Sequence, residues 1–208
     1  MAKISEIRKK SAYHLTAPLV KLLASLGVSP NALSWTGLGL SLVTAALVAM
    51  SHLLAGGIMV LLAGGFDMLD GALARRTNQV TRFGGILDST LDRVSEAALL
   101  LGILFLFLNA GENTALFWPL TRQVAVFLLA LVIAVSPLVS YLRARAEAAG
   151  LDCHLGVFTR PERVIVLALG LLLNQIVIAL AIIAVLSFFT ASQRLLFIWQ
   201  RTRNQPPL

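Results

Sequence analysis

Four aspartates crowd one short stretch of an otherwise apolar chain. It reads Asp67-Met68-Leu69-Asp70-Gly71-Ala72-Leu73-Ala74-Arg75, then eight residues, then Gly84-Gly85-Ile86-Leu87-Asp88-Ser89-Thr90-Leu91-Asp92. Carboxylates at the edge of hydrocarbon are unfavourable without compensating positive charge, so ionisable residues in such a place mark a functional site. A divalent cation supplies that charge. Asp67 and Asp70 are i, i+3 at the end of one apolar run, and Asp88 and Asp92 are i, i+4 at the start of the next. Each pair therefore shares a helix face, and two helix ends can converge on one site. Hard oxygen ligands with no His or Cys nearby suit Mg²⁺ or Mn²⁺ rather than zinc, and two ions can be held. Gly71 and Gly84 would let backbone approach a bulky polar ligand, with Arg75 facing phosphate. Close helix packing is the other use of such glycines.

This segment resembles the signature of the CDP-alcohol phosphotransferases, Asp-x2-Asp-Gly-x2-Ala-Arg-x8-Gly-x3-Asp-x3-Asp, and matches it at every fixed position. The resemblance implies that Asp67, Asp70, Asp88 and Asp92 hold two Mg²⁺ ions, for which Mn²⁺ can substitute, and that Asp92 is the general base. It also implies a site for CDP-diacylglycerol or a related CDP-lipid at Asp67, Asp70, Gly71, Ala74, Arg75 and Gly84. Ser29-Pro30-Asn31-Ala32-Leu33-Ser34 looks like the motif that opens the first span in these enzymes and approaches the cytidine. Asn31 and Ser34 are carried over on that basis, although a helix cap explains them equally well. Thr81 either approaches the nucleotide diphosphate, as the resemblance implies, or caps the next helix.

A second charged region runs Ser140-Tyr141-Leu142-Arg143-Ala144-Arg145-Ala146-Glu147, followed by Arg160-Pro161-Glu162-Arg163. Ser140 and Arg143 sit one helical turn apart, and Arg160 opens a helix with Pro161 in its first turn. Such guanidinium groups form a phosphate clamp, or else they anchor the chain at the membrane interface. These runs resemble the phosphatidylinositol-phosphate synthase branch of the family. The resemblance implies that Ser140, Arg143, Arg160 and Arg194 bind an inositol phosphate acceptor. For Arg194, snorkelling to headgroups is the competing use.

The elements that must position these residues follow from composition. Hydrophobic residues make up 58% of the 208, charged ones 13%, and the mean hydropathy is +0.85, which fits a membrane protein rather than a water-soluble domain. A crossing helix needs about 20 apolar residues. Such runs fall near 31–52, 54–74, 83–110, 118–145, 159–174 and 176–199, with only Asn174-Gln175 dividing the last two. The expected fold is all-α, with six transmembrane helices in one membrane domain over 1–208. All of the 17 Lys and Arg residues except Arg122 then fall at or near one side, the cytoplasmic one, together with the acids and both termini.

Residues 1–29 carry leucines at helical spacing beside Lys9, Lys10 and Lys21, which predicts an amphipathic juxtamembrane helix rather than a cleaved signal peptide. The bundle then spans 30–203 and a short tail 204–208. His14, His52 and His154 show no ligand spacing, and the single Cys153 cannot form an intrachain disulfide. The activity that the resemblance implies is transfer of a phosphatidyl group from CDP-diacylglycerol to inositol phosphate, in the cell membrane, by a homodimer with no nucleic-acid partner. A glycerol 3-phosphate acceptor is the alternative within the same chemistry. A cation or proton transporter is the alternative outside it, weakened by acids at helix ends and the lack of an internal repeat.

Overall fold

The computed structural model describes residues 17–111, 114–153 and 155–203, and among these every regular element is helical. Residues 17–25 are helical and are followed by α1 (Pro30–Ala49), α2 (Leu53–Arg76), α3 (Arg82–Asn109), the single turn α4 (Thr114–Phe117), α5 (Arg122–Ala148), α6 (Arg160–Leu172) and α7 (Ile176–Thr202). The first part of the expected interfacial helix, His14, His154 and the tail 204–208 lie outside the described residues.

Local chemistry sets the helix ends. Ser29 Oγ accepts from the Ala32 N–H at 3.2 Å, and Pro30 occupies the first helical position, where its missing N–H is harmless. Ser51, Asn78 and Asn174 adopt left-handed φ angles of 67°, 54° and 54° just past α1, α2 and α6. In each case the following N–H reaches back five residues, from His52 to Leu47 O, Gln79 to Ala74 O and Gln175 to Gly170 O. This left-handed closure uses up orphan carbonyls and stops the helix. Asn174 therefore separates α6 from α7 at the one polar break in that apolar run.

Helices α1, α2, α5 and α7 each have the length and apolarity of a membrane span. Among the described residues the protein is thus all-helical, with four candidate membrane-spanning helices. Of the other two expected spans, α3 has 28 residues but carries Arg82, Asp88, Asp92, Arg93 and Glu96 between its start and position 96. Helix α6 has 13 residues, roughly 20 Å of rise against a core of roughly 30 Å.

The chain divides into two compact units. One comprises residues up to Val43 together with Leu62–Ala98. Its small apolar core joins Val20, Leu33, Leu69 and Leu73, with Leu23 and Phe66 packed against them. Helix 17–25 buries Val20 there and leaves Leu19 and Leu22 exposed, with Leu26 exposed just past its end.

The other unit comprises Thr44–Leu61 and Leu99–Leu208. Here α5 and α6 both pack on α7. The core is built from Ile103, Phe107, Leu129, Leu171, Ile176 and Leu180 among others, and Phe107 meets Phe117 edge-on at 5.3 Å. Gly102 permits a close backbone approach: a Cβ there would stand 2.5 Å from the Ala45 carbonyl oxygen.

Candidate active site

In the first unit, the start of α1, the end of α2 and the start of α3 line one cavity of about 260 Å³. Helix α1 contributes Pro30, Asn31 and Ser34. Helix α2 contributes Asp70, Gly71, Ala74 and Arg75. The connection adds Gln79, Val80 and Thr81, and α3 adds Gly84, Gly85 and Asp88. Every residue expected at the nucleotide-lipid site lines this cavity except Asp67. Asp67 lies a turn earlier on α2, its Oδ1 3.0 Å from the point where a Cβ on Gly37 would stand. Asp92, one turn beyond Asp88 on α3, is likewise absent from the lining.

Asp70 is held from two sides. It is buried, its Oδ2 accepts from Ser34 Oγ at 2.6 Å, and its Oδ1 accepts from the Gly71 N–H at 2.5 Å. Thr81 caps α3, its Oγ1 accepting from the Gly84 N–H at 2.9 Å. A Cβ at position 84 would fall 2.9 Å from that hydroxyl and 3.7 Å from Asn31 Oδ1, so the missing side chain lets three elements meet. Arg75 folds beside Gly71, its Nη1 3.4 Å from a Cβ placed there. Arg93 turns back on its own helix and donates to Ser89 O at 2.5 Å.

The expected acceptor residues belong to the second unit. Arg143 on α5 is exposed and pairs with Glu147 at 2.8 Å, while Ser140 lies one turn before it. Arg160 is the first residue of α6, and Glu162 completes the cap of that helix by accepting from the Thr159 N–H at 2.8 Å. Arg194 is buried, donating through Nε to Leu155 O at 2.7 Å and through Nη1 to Val139 O. Gly156, at φ +134°, makes room for it: a Cβ there would stand 2.9 Å from Arg194 Nη2. The guanidinium thus ties α7 to α5 and to the α5–α6 connection. Arg143 and Arg163 lie within electrostatic range of it, and Arg163 is itself buried.

Sequence reasoning had not singled out Gln79, Gly37 or Arg163. Gln79 falls in the unconstrained eight-residue gap of the signature, and nothing in its residue type marks it. For Gly37, the Gly37-Leu38-Gly39 pattern was an available signal of close helix approach. For Arg163, the signal was a charged residue one turn into an apolar helix.

Residues 27–193 match the sequence model of the CDP-alcohol phosphatidyltransferases. The chain belongs to this family. Among its CDP-alcohol phosphatidyltransferase relatives, the archaetidylinositol phosphate synthase of Methanothermobacter thermautotrophicus is 36% identical over 81% of this chain and 82% of its own. The phosphatidylinositol phosphate synthase of Mycobacteroides abscessus is 35% identical over 87% and 82%. The crystal structure of Mycobacterium tuberculosis phosphatidylinositol phosphate synthase with CDP-DAG bound superposes with a TM-score of 0.78 at 32% identity, covering 89% of this chain and 94% of that one. A second structure of that enzyme, in complex with manganese and citrate, gives 0.77 at 32% identity, with 88% of each chain covered.

The donor chemistry of the cavity fits a hard divalent cation. Carboxylates from α2 and α3 face it, with only hydroxyl, carboxamide and guanidinium groups as other polar partners. Among the described residues, no three acidic, His or Cys side chains are drawn together as a ready ligand set. Asp67 and Asp70 lie toward the end of α2 and Asp88 and Asp92 in the first turns of α3, and Asp70 accepts a hydrogen bond from Ser34.

Proposed function

We propose that this CDP-alcohol phosphatidyltransferase transfers the phosphatidyl group of CDP-diacylglycerol, or of a related CDP-lipid, to inositol phosphate, giving phosphatidylinositol phosphate and CMP. The observation that carries this reading is the single cavity in which Asn31, Ser34, Asp70, Arg75, Thr81 and Asp88 meet, in a chain similar over most of its length to enzymes of that name.

Asp67, Asp70, Asp88 and Asp92 are the residues that would hold Mg²⁺ or Mn²⁺, and the ions would supply positive charge to the pyrophosphate and the leaving phosphate. The protein's own groups do the rest. Arg75 neutralises phosphate oxygens from the wall of the cavity, and Gly71 lets them approach the backbone beside it. Ser34 fixes the orientation of the Asp70 carboxylate. Asp92 takes the proton of an inositol hydroxyl as its oxygen bonds to the lipid-linked phosphorus, while the bond from that phosphorus to CMP breaks. Orientation of that carboxylate toward the hydroxyl supplies its contribution. Ser140, Arg143, Arg160 and Arg194 receive the acceptor phosphate, which favours a phosphorylated acceptor over free inositol or serine.

In the bilayer, six crossings place the acids and both termini on the cytoplasmic face. Asp88 at the start of α3 is tolerated because it lines the polar cavity, and the short α6 needs local thinning of the bilayer. We assign the working form as a homodimer in the cell membrane.

The test is CMP release by the purified protein in lipid with Mg²⁺ and CDP-diacylglycerol, with inositol phosphate, glycerol 3-phosphate, free inositol and serine offered separately. Release with inositol phosphate alone is expected. Preference for glycerol 3-phosphate would keep the reaction and replace the acceptor, and silence with every acceptor would overturn the reading.

A further inference from the structure

We infer that Gln79 reads the polar edge of the nucleotide base, accepting a hydrogen bond from the 4-amino group of cytosine. This rests on the transferase reading above, and it assigns a specificity role to a residue outside the family signature.

Gln79 stands in the α2–α3 connection, where Asn78 at φ 54° turns the chain and the Gln79 N–H bonds to Ala74 O at 2.9 Å. Its backbone is therefore fixed at the cavity wall, while its side chain is exposed and lines the cavity beside Thr81. The neighbouring polar groups are committed or charged. Asp70 accepts from Ser34 and Gly71, Thr81 accepts from Gly84, and Arg75 and Asp88 carry charge suited to phosphate and cation. A neutral heteroaromatic base needs neutral partners. A carboxamide offers an acceptor and donors side by side, matching the amino donor of cytosine and its neighbouring ring-nitrogen acceptor. Asn31 is the other carboxamide of the lining, and its Oδ1 is directed to the start of α3 near Gly84.

The experiment is calorimetric titration of the full chain in lipid nanodiscs with Mg²⁺, using CMP and the CMP analogue that lacks the 4-amino group. Wild-type protein is expected to bind CMP about tenfold more tightly than the analogue. In Gln79→Ala the two should bind alike, at the affinity of the weaker wild-type complex, which is the coupling expected of a direct contact. Because Gln79 is exposed, its truncation leaves the fold intact. A preference for CMP that persists in Gln79→Ala, or that is missing in the wild type, overturns the inference while leaving the transferase reading in place. Wild-type protein that binds neither nucleotide overturns both.

Discussion

Ser34 Oγ donates to Asp70 Oδ2 at 2.6 Å with both side chains buried, so the first turns of α1 orient an acid on the last turns of α2. Supporting groups of this kind decide how usable an acidic ligand is, and their loss typically lowers metal affinity or activity by 10- to 100-fold. Ser34→Ala should therefore lower CMP release by about that factor with helical content retained. Circular dichroism beside the activity assay checks this, and near-normal turnover would show that Asp70 needs no orienting partner.

Asp92 lies one turn beyond Asp88 on α3, outside the residues that line the cavity. Asp92→Asn keeps the shape and removes the proton acceptor. Turnover should fall by about 10²- to 10⁴-fold, the usual contribution of a positioned base. CMP binding should stay close to wild type. A parallel loss of nucleotide binding would remove Asp92 from the role of base and leave it only that of holding the metal.

Arg143 and Arg194 should behave oppositely on truncation. The exposed Arg143–Glu147 pair contributes at most about 0.5 kcal/mol, so Arg143→Ala leaves the melting temperature nearly unchanged. A raised KM for inositol phosphate in that variant would then report acceptor binding directly. Arg194→Ala strands the carbonyls of Val139 and Leu155 and removes bonds from a charged donor, about 3 kcal/mol or more in all. Thermal unfolding and proteolysis within residues 149–159 should both reveal it. An unchanged melting temperature would argue that these bonds contribute little.

Glycine substitutions separate helix propensity from packing. Gly65 has nothing within 4 Å of a built Cβ, so Gly65→Ala should raise stability by up to about 1 kcal/mol through helix propensity. Gly102→Ala would place a methyl group 2.5 Å from a backbone oxygen, and overpacking of this kind costs roughly 1–3 kcal/mol. Melting temperatures of the two variants should move in opposite directions.

Much of the site was legible in the chain because the signature is local. Asp67, Asp70, Gly71 and Arg75 fall within nine residues on one helix, and Gly84, Asp88 and Asp92 within nine on the next, so helical periodicity alone puts each set on one face. The long apolar runs determined the all-helical class for the same reason, and Asn174 marked the α6–α7 break because asparagine tolerates the left-handed closure found there. Partners far apart in sequence were decided by the tertiary structure. Ser34 meets Asp70 across 36 positions and Arg194 meets Val139 across 55, and no local pattern encodes such pairings. The same holds for Gln79, whose place at the cavity depends on how the α2–α3 connection turns. Periodicity specifies which face a residue occupies, whereas packing of one helix on another specifies what that face touches.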